Sequence, residues 1–160
     1  MTIKEQMEMV QDALNVWHKG VGGSCKIAND EPNLFQILGE APGAPRTAIL
    51  FDEEDPRDAE NNDISGRVDR KFIIAVSRGR GFKLELGKTL TEGVAGGLPM
   101  FELVEQSREI LRKLRVTDVP EESVPRYYGS KRLQFQGITT DAYAVTIGLP
   151  AQIPDQYENE

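Results

Sequence analysis

The sequence predicts an α+β domain in which two helices pack on one face of an antiparallel sheet that contains a long β-hairpin. Residues 2–19 and 99–115 carry apolar side chains at helical spacing, whereas the segments between and after them alternate apolar and polar residues. Runs of strands separated by single helices are typical of this class. At 160 residues, the chain has the length of one domain.

The first helix is predicted from its apolar stripe and its ends. Thr2 and Glu5 have the spacing of a capping box, in which the hydroxyl accepts from the amide at Glu5 while the carboxylate reaches back. Gly20 is the predicted stop. The stripe consists of Ile3, Met7, Val10, Leu14 and Trp17.

The first half of the sheet is predicted to follow this helix. Residues 25–28 and 33–38 are candidate strands on either side of the breaker at 30–32. Residues 46–52 are apolar on both faces, which predicts a central strand, and residues 64–78 alternate. We expect these last two strands to form the long hairpin, with an acidic stretch at its tip.

The second half contains a long loop, the second helix and a closing hairpin. Residues 79–97 are rich in glycine and without a period, with at most a short strand at 82–86. In the predicted helix, acidic residues come early and basic residues late, which suits the helix dipole. The closing strands are predicted at 131–136 and 139–149. We therefore expect one domain over 1–150, loops at about 53–63 and 79–97, and a polar acidic tail over 151–160.

Composition excludes several kinds of protein. A net charge of -7 argues against binding nucleic acid mainly by neutralising phosphates. The single cysteine and single histidine allow neither an internal disulfide nor a Cys/His zinc cluster. Because no apolar run approaches the length of a membrane span and no signal-peptide pattern is present, we expect a soluble intracellular protein.

Candidate catalytic groups are few. His18 and Cys25 are a conceivable dyad, but a helix-end cap and a small buried residue are the simpler interpretations. Residues 77–81 place two arginines among two glycines, yet they lack the ending of a phosphate-binding loop, which favours a turn. Glu53 and Asp55 bind a hard cation only if the loop geometry allows it. We therefore expect a protein that is not an enzyme and has no cofactor and no metal.

Two neighbouring blocks carry opposite charge. Residues 52–63 hold seven acids against one arginine, and residues 67–88 hold seven bases against two acids. One interpretation is a solvated hairpin tip neutralised by its own strand; the other is head-to-tail association of copies, which closes into a ring when the rotation allows. The predicted interface and lumen residues are Asp52, Glu53, Glu54, Asp55, Asp58, Glu60, Asp63, Arg67, Arg70, Arg78, Arg80, Lys83 and Lys88.

The order of elements resembles the tail terminator, or tail completion, proteins of long-tailed bacteriophages. The resemblance rests on residues 2–19, 46–78, 99–115 and 131–149, and on the sequence from Tyr127 to Phe135 that leads into the last strands. It implies a ring, commonly of six subunits, that caps the tail tube, stops its polymerisation and meets the head-tail connector. It also implies a place in the tail or neck of the virion, assembly in the host cytoplasm, and passage of DNA through the lumen without specific binding.

Within this resemblance, each charged segment has an expected place. Residues 52–63 are expected at the lumen or rim, Arg78 and Arg80 at the contact between subunits, and residues 79–97 at an adjacent ring. Because the loop over 79–97 is longer than the family needs, another neck or tail-tube component is an alternative. A small soluble regulatory module that captures an acidic ligand with residues 78–97 is a second alternative, and a small hydrolase using Asp or Glu is a third.

Overall fold

The protein has a mixed α+β fold, with three helices and a five-stranded, mostly antiparallel sheet. The computed structural model describes residues 1–39, 44–56, 66–79, 98–117, 124–133 and 140–152. The mixed class predicted from the sequence is confirmed. The elements are α1 (Ile3–Val21), β1 (Ser24–Ile27), α2 (Glu31–Leu38), β2 (Pro45–Pro56), β3 (Arg67–Gly79), α3 (Met100–Arg112), β4 (Arg126–Leu133) and β5 (Thr140–Gln152).

The strands lie in the order β1-β2-β3-β5-β4. β1 runs parallel to β2, and each of the other three pairs is antiparallel. Gly79, the first residue of the loop predicted over 79–97, is the last residue of β3. The connection between β2 and β3 lies outside the described residues, as do residues 80–97 of that loop with the predicted short strand at 82–86, and the tail after Gln152. β1 and β4 are therefore the outer strands of the described sheet.

Helix α1 begins as predicted. Thr2 is its N-cap, and the reciprocal bonds of the capping box to Glu5 are both present. The predicted stop at Gly20 is wrong, because the helix continues to Val21 and ends at Gly22, whose φ of 87° suits glycine.

The strand predicted at 33–38 is also wrong, because these residues form helix α2. The side chain of Asp30 accepts a 2.8 Å hydrogen bond from the amide of Asn33, and Pro32 lies in the first turn, where its missing N–H costs nothing. Leu34, Ile37 and Leu38 then fall on one buried side. The breaker before the expected strand is instead the start of a helix.

Other elements differ from their predicted bounds. The helix predicted over 99–115 is confirmed over Met100–Arg112, with Pro99 as its N-cap. β4 begins at Arg126, ahead of the predicted 131, and β5 extends to Gln152, with Ala151 buried. The first two residues of the predicted tail are therefore part of the sheet.

Apolar side chains cover the two faces of the sheet in two separate clusters. On one face, here called the α1/α3 face, helices α1 and α3 pack with Phe72, Ile74 and Val145. On the other, the α2 face, helix α2 packs on Ala48, Ala75 and Ala142. Small side chains let a helix approach the sheet closely, and the alternation of strand residues assigns every other residue to each face.

Candidate assembly interface

The acidic end of β2 lies directly beside basic residues of β3. In the register of this antiparallel pair, Glu53 is opposite Lys71 and Glu54 is opposite Arg70. Lys71 Nζ lies 3.2 Å from Glu53 Oε1 and 2.8 Å from Asp55 Oδ2. Neutralisation of the acidic block by the chain's own strand, one of the two sequence interpretations, therefore applies to these described residues.

Lys71 is the centre of this contact on the α2 face. Its ammonium group also lies 4.7 Å from the centroid of the Tyr128 ring, a cation–π geometry. Hydrogen bonds to Asp55 and Glu53 raise the pKa of Lys71. Glu53 and Asp55, the two carboxylates considered for a hard cation, thus both engage this ammonium group in the structure.

Arg70 points to the opposite face and lies inside the subunit. It is 8% exposed, and it donates to Glu54 Oε1 at 2.7 Å, to the carbonyl oxygen of Met1 at 2.6 Å and to Gln6 Oε1 at 3.3 Å. These bonds fasten the start of α1 to the sheet. The sequence predicts that Arg70 contacts a neighbouring copy, whereas in the single subunit Arg70 binds groups of its own chain.

A buried carboxylate joins three strands near Lys71. Asp69 of β3 is 2% exposed and accepts a hydrogen bond from the hydroxyl of Tyr128 on β4, two strands away. Gly148 of β5 lies between them, and a Cβ atom there would overlap the Asp69 carboxylate. The glycine therefore makes room for the contact. Burial and the bond to Asp69 raise the pKa of Tyr128.

These groups form a row of alternating charge across the α2 face. The row begins with the carboxylates of Glu53 and Asp55, passes to Lys71 and Asp69, and reaches the outer strand at Arg126. In the strand register, Arg126 is opposite Gly148, Gly148 is opposite Lys71, and Lys71 is opposite Glu53. The row is therefore negative at the β2 side of the sheet and positive at the β4 side.

Each end of this row coincides with an open strand edge among the described residues. β1 pairs only with residues 46–49 of β2, so no described strand pairs with residues 50–56 on that side. Among the described strands, β4 pairs with β5 alone, and Tyr127 and Tyr128 are 56% and 43% exposed. Unpaired N–H and C=O groups along such edges are ready to accept a further strand.

The remaining predicted site residues fall into three groups. Asp52 is exposed at the register shift between Phe51 and Glu53, and Arg67 is partly buried at the start of β3. Arg78 is 3% exposed in β3, so its guanidinium group is not accessible to another subunit in this arrangement. Burial also lowers its pKa. Outside the described residues lie Asp58, Glu60, Asp63, Arg80, Lys83 and Lys88.

His18 and Cys25 have structural roles. The two ring nitrogens of His18 lie 2.7 Å from the carbonyl oxygen of Gly22 and 2.7 Å from Thr47 Oγ1, and burial lowers the pKa of the imidazole. Burial raises the pKa of Cys25 to about 12, which disfavours the thiolate that a nucleophile requires. Among the described residues, no group of three or more His, Cys, Asp and Glu residues is arranged to hold a metal ion.

A groove of about 350 Å³ lies between α3 and the start of β4 on the α1/α3 face. Its apolar lining includes Leu111 and Ile147, and Arg108 contributes a basic group. Arg112 on the same helix is paired with Glu109. The hydroxyl of Tyr127 lies 2.6 Å from Ser130 Oγ, and this bond, together with Arg108, lowers the pKa of Tyr127.

No protein-family model matches the chain, and no curated protein matches its sequence. In the part of the chain that the structure describes, no helix is long and apolar enough to span a membrane.

The charge blocks were visible in the sequence, but the contact between Tyr128 and Asp69 was not. The alternation of β3 places Asp69 and Lys71 on one face, which was a usable signal. Nothing local indicated that Gly148 would lie between Asp69 and Tyr128, because that depends on the order of strands in the sheet.

Proposed function

We propose that this chain is a structural subunit that joins head to tail into a ring and caps the tail tube of a long-tailed phage. The observation that carries the proposal is the pair of edges, acidic on β2 and basic on β4, at opposite sides of one sheet, which no strand of the described residues covers. A contact between two different surfaces repeats from copy to copy and closes into a ring when the rotation allows.

The finer features of the fold belong to this proposal. β2 and β3 act as the long hairpin of the terminator family, and α1 and α3 are its two helices on one face. Antiparallel pairing of β2 with β3 supports the first assignment. The apolar cluster shared by α1 and α3 supports the second. Helix α2, on the other face, is an addition to the predicted arrangement.

In this proposal the action is steric and not enzymatic. The ring binds the last ring of the tail tube with one face and presents to the head-tail connector a second face that no further tube subunit can match. The ring, commonly of six copies, belongs to the tail or neck of the virion and is assembled in the host cytoplasm. Acidic residues at the lumen repel DNA phosphates, so the duplex passes without specific binding.

The proposal is tested by mixing the purified chain with a polymerising tail tube protein. We expect capped tubes that stop growing, and a particle of about six times 17.8 kDa by native mass spectrometry, with or without the tube. Tubes that incorporate the chain and continue to grow would instead indicate a tail-tube component. A chain that stays single in both conditions would contradict the proposal.

The groove beside α3 favours a second candidate, a small regulatory module for an acidic ligand. The apolar lining is accompanied by three arginines and two glutamates, a basic excess that suits a ligand with both an apolar part and a carboxylate or phosphate. This function predicts a monomer or dimer that retains such a ligand through purification. Native mass spectrometry distinguishes the two candidates in one measurement.

A further inference from the structure

We infer that β4 of one copy pairs in antiparallel fashion with residues 50–55 of β2 in the next copy, so that Lys131 lies beside Glu53. The inference rests on the ring proposed above and names the contact that joins its subunits. It makes the five-stranded sheet continuous from one copy to the next. The occupant of the open β4 edge is thus a second copy of this chain.

Charge complementarity identifies the two partners. Lys131 is the basic residue that β4 brings to this contact, and β4 contains no acidic residue, whereas residues 50–56 contain four acidic residues and no basic residue. Glu53 and Asp55 keep exposed fractions of 53% and 45% after binding Lys71, so they can accept a second cation. An edge-to-edge contact of β4 with β4 would instead bring like charges together.

Strand direction fits a ring. β3 runs opposite to β2, β5 runs opposite to β3, and β4 runs opposite to β5. β4 therefore runs opposite to β2. When copies are related by rotation about an axis roughly along the strands, β4 meets the next β2 in antiparallel orientation, the more stable pairing per residue.

The position of β1 determines the register. Within one copy, Lys131 is level with Ala48, through Ala144 and Ala75. The corresponding edge of β2 in the next copy is already covered by β1 over residues 46–49. β4 must therefore be shifted along β2 of the next copy until Lys131 lies beyond residues 46–49. This shift places Lys131 near Glu53.

This displacement suits a closed assembly. On β3 the partner of Ala48 is Ala75 and the partner of Glu53 is Lys71, so the displacement is about four residues per subunit. Strands that close into a barrel tilt from its axis and need such a stagger in register. A sheet without stagger would bring β4 into collision with β1.

The faces of the two strands also match. Lys131 is paired through Ala144 with Ala75, so it belongs to the α2 face, as do Glu53 and Lys71. In the continued sheet, Lys131 therefore approaches the same carboxylates that Lys71 binds within its own copy.

Disulfide trapping between two single-cysteine variants tests the contact. In a Cys25→Ala background, Lys131→Cys and Glu53→Cys are purified separately, mixed at high protein concentration and oxidised. We expect a crosslinked dimer in the mixture and only traces in either variant alone. Lys26→Cys on β1, mixed with Lys131→Cys, is the matched control and is expected to stay uncrosslinked.

Each alternative contact leaves a different product. Dimers of Lys131→Cys alone would indicate pairing of β4 with β4, and dimers with Lys26→Cys would indicate pairing with β1; either result overturns the inference. The absence of any crosslink would also overturn the inference. Capped tubes without the Lys131–Glu53 crosslink would leave the proposed function standing, whereas a crosslink without capping would leave only the contact.

Charge reversal supplies an independent measurement. Lys131→Glu is expected to weaken self-association at least about tenfold, and adding Glu53→Lys to the same chain is expected to restore most of it. Lys4→Glu, on an 82% exposed side chain of α1, is the control and should leave association unchanged. No loss with Lys131→Glu, or a loss that Glu53→Lys does not rescue, would contradict the contact.

Discussion

Tyr128 and Asp69 are joined by a hydrogen bond that crosses an intervening strand. The hydroxyl group on β4 donates to the carboxylate on β3 above Gly148, the residue of β5 that has no side chain to block it. The contact fixes the outer strand to the centre of the sheet, and its partner Asp69 is buried. It therefore holds in place the edge on which the proposed assembly depends.

Gly148→Ala is expected to destabilise the fold by about 2 kcal/mol, because the new methyl group would overlap the Asp69 carboxylate and displace the Tyr128 hydroxyl. The measurement is the free energy of unfolding in urea. Gly20→Ala on α1, where an added Cβ meets nothing within 4 Å, is the control and should be neutral or slightly stabilising. Equal effects of the two substitutions would contradict this role for Gly148.

Arg70→Met is expected to lower the free energy of unfolding by about 2 kcal/mol, because the buried side chain of Gln6 and the half-buried carbonyl group of Met1 lose their charged donor. Methionine keeps most of the volume, so packing changes little. Chemical denaturation measures the loss, with Lys4→Met as the exposed control. If Arg70→Met instead leaves stability intact and prevents association, Arg70 belongs to the interface, as the sequence had predicted.

Stability is expected to fall as the pH drops below about 6.5, in part because His18 must gain a proton. Burial holds its folded-state pKa below the ordinary value of 6.5. The stabilisation is therefore fully present above the unfolded pKa and is lost as the pH falls through the folded pKa. Urea midpoints at about pH 7.5 and about pH 5.5 measure this loss.

His18→Gln is the matched variant for the pH experiment. It keeps polar atoms that can reach Gly22 and Thr47 but does not titrate, so its midpoint should vary less with pH than that of the original chain. The carboxylates are the same in the His18→Gln variant and the original chain, so their contribution to the pH dependence cancels in the comparison. Identical pH profiles would show that His18 contributes nothing to the dependence.

Asp30→Ala is expected to cost about 1 kcal/mol, because the amide of Asn33 at the start of α2 loses its side-chain acceptor. Asp30→Ser should retain most of the stability, since a hydroxyl group also caps a helix. Urea denaturation of both variants makes the comparison. If residues 33–38 formed a strand instead, Asp30→Ala and Asp30→Ser would change the free energy of unfolding equally.

The helices at 2–19 and 99–115 could be predicted because a stripe of apolar residues and its end signals are local. Helix α2 was missed because Asp30 and Pro32 interrupt a strand and begin a helix equally well, and its burial against Ala48 and Ala75 depends on the fold. Where the local sequence pattern is weak, packing against the rest of the fold determines whether a helix or a strand forms.

The candidate site was predictable in its charge and not in its geometry. The sequence indicated that residues 52–63 are acidic, but not that Glu54 would pair with Arg70 inside the subunit. A deletion of residues 54–62, the simplest test suggested by the sequence, would remove that partner and shorten β2. Removal of the acidic tip should therefore begin after Pro56.

The burial of Cys25 gives the chain a built-in reporter of opening. It is the single thiol of the protein and is 2% exposed, so a thiol-reactive dye reaches it only in molecules that have at least locally unfolded. The labelling rate then measures how often the region around β1 becomes accessible. A partner that slows this rate without touching Cys25 would be stabilising the whole sheet.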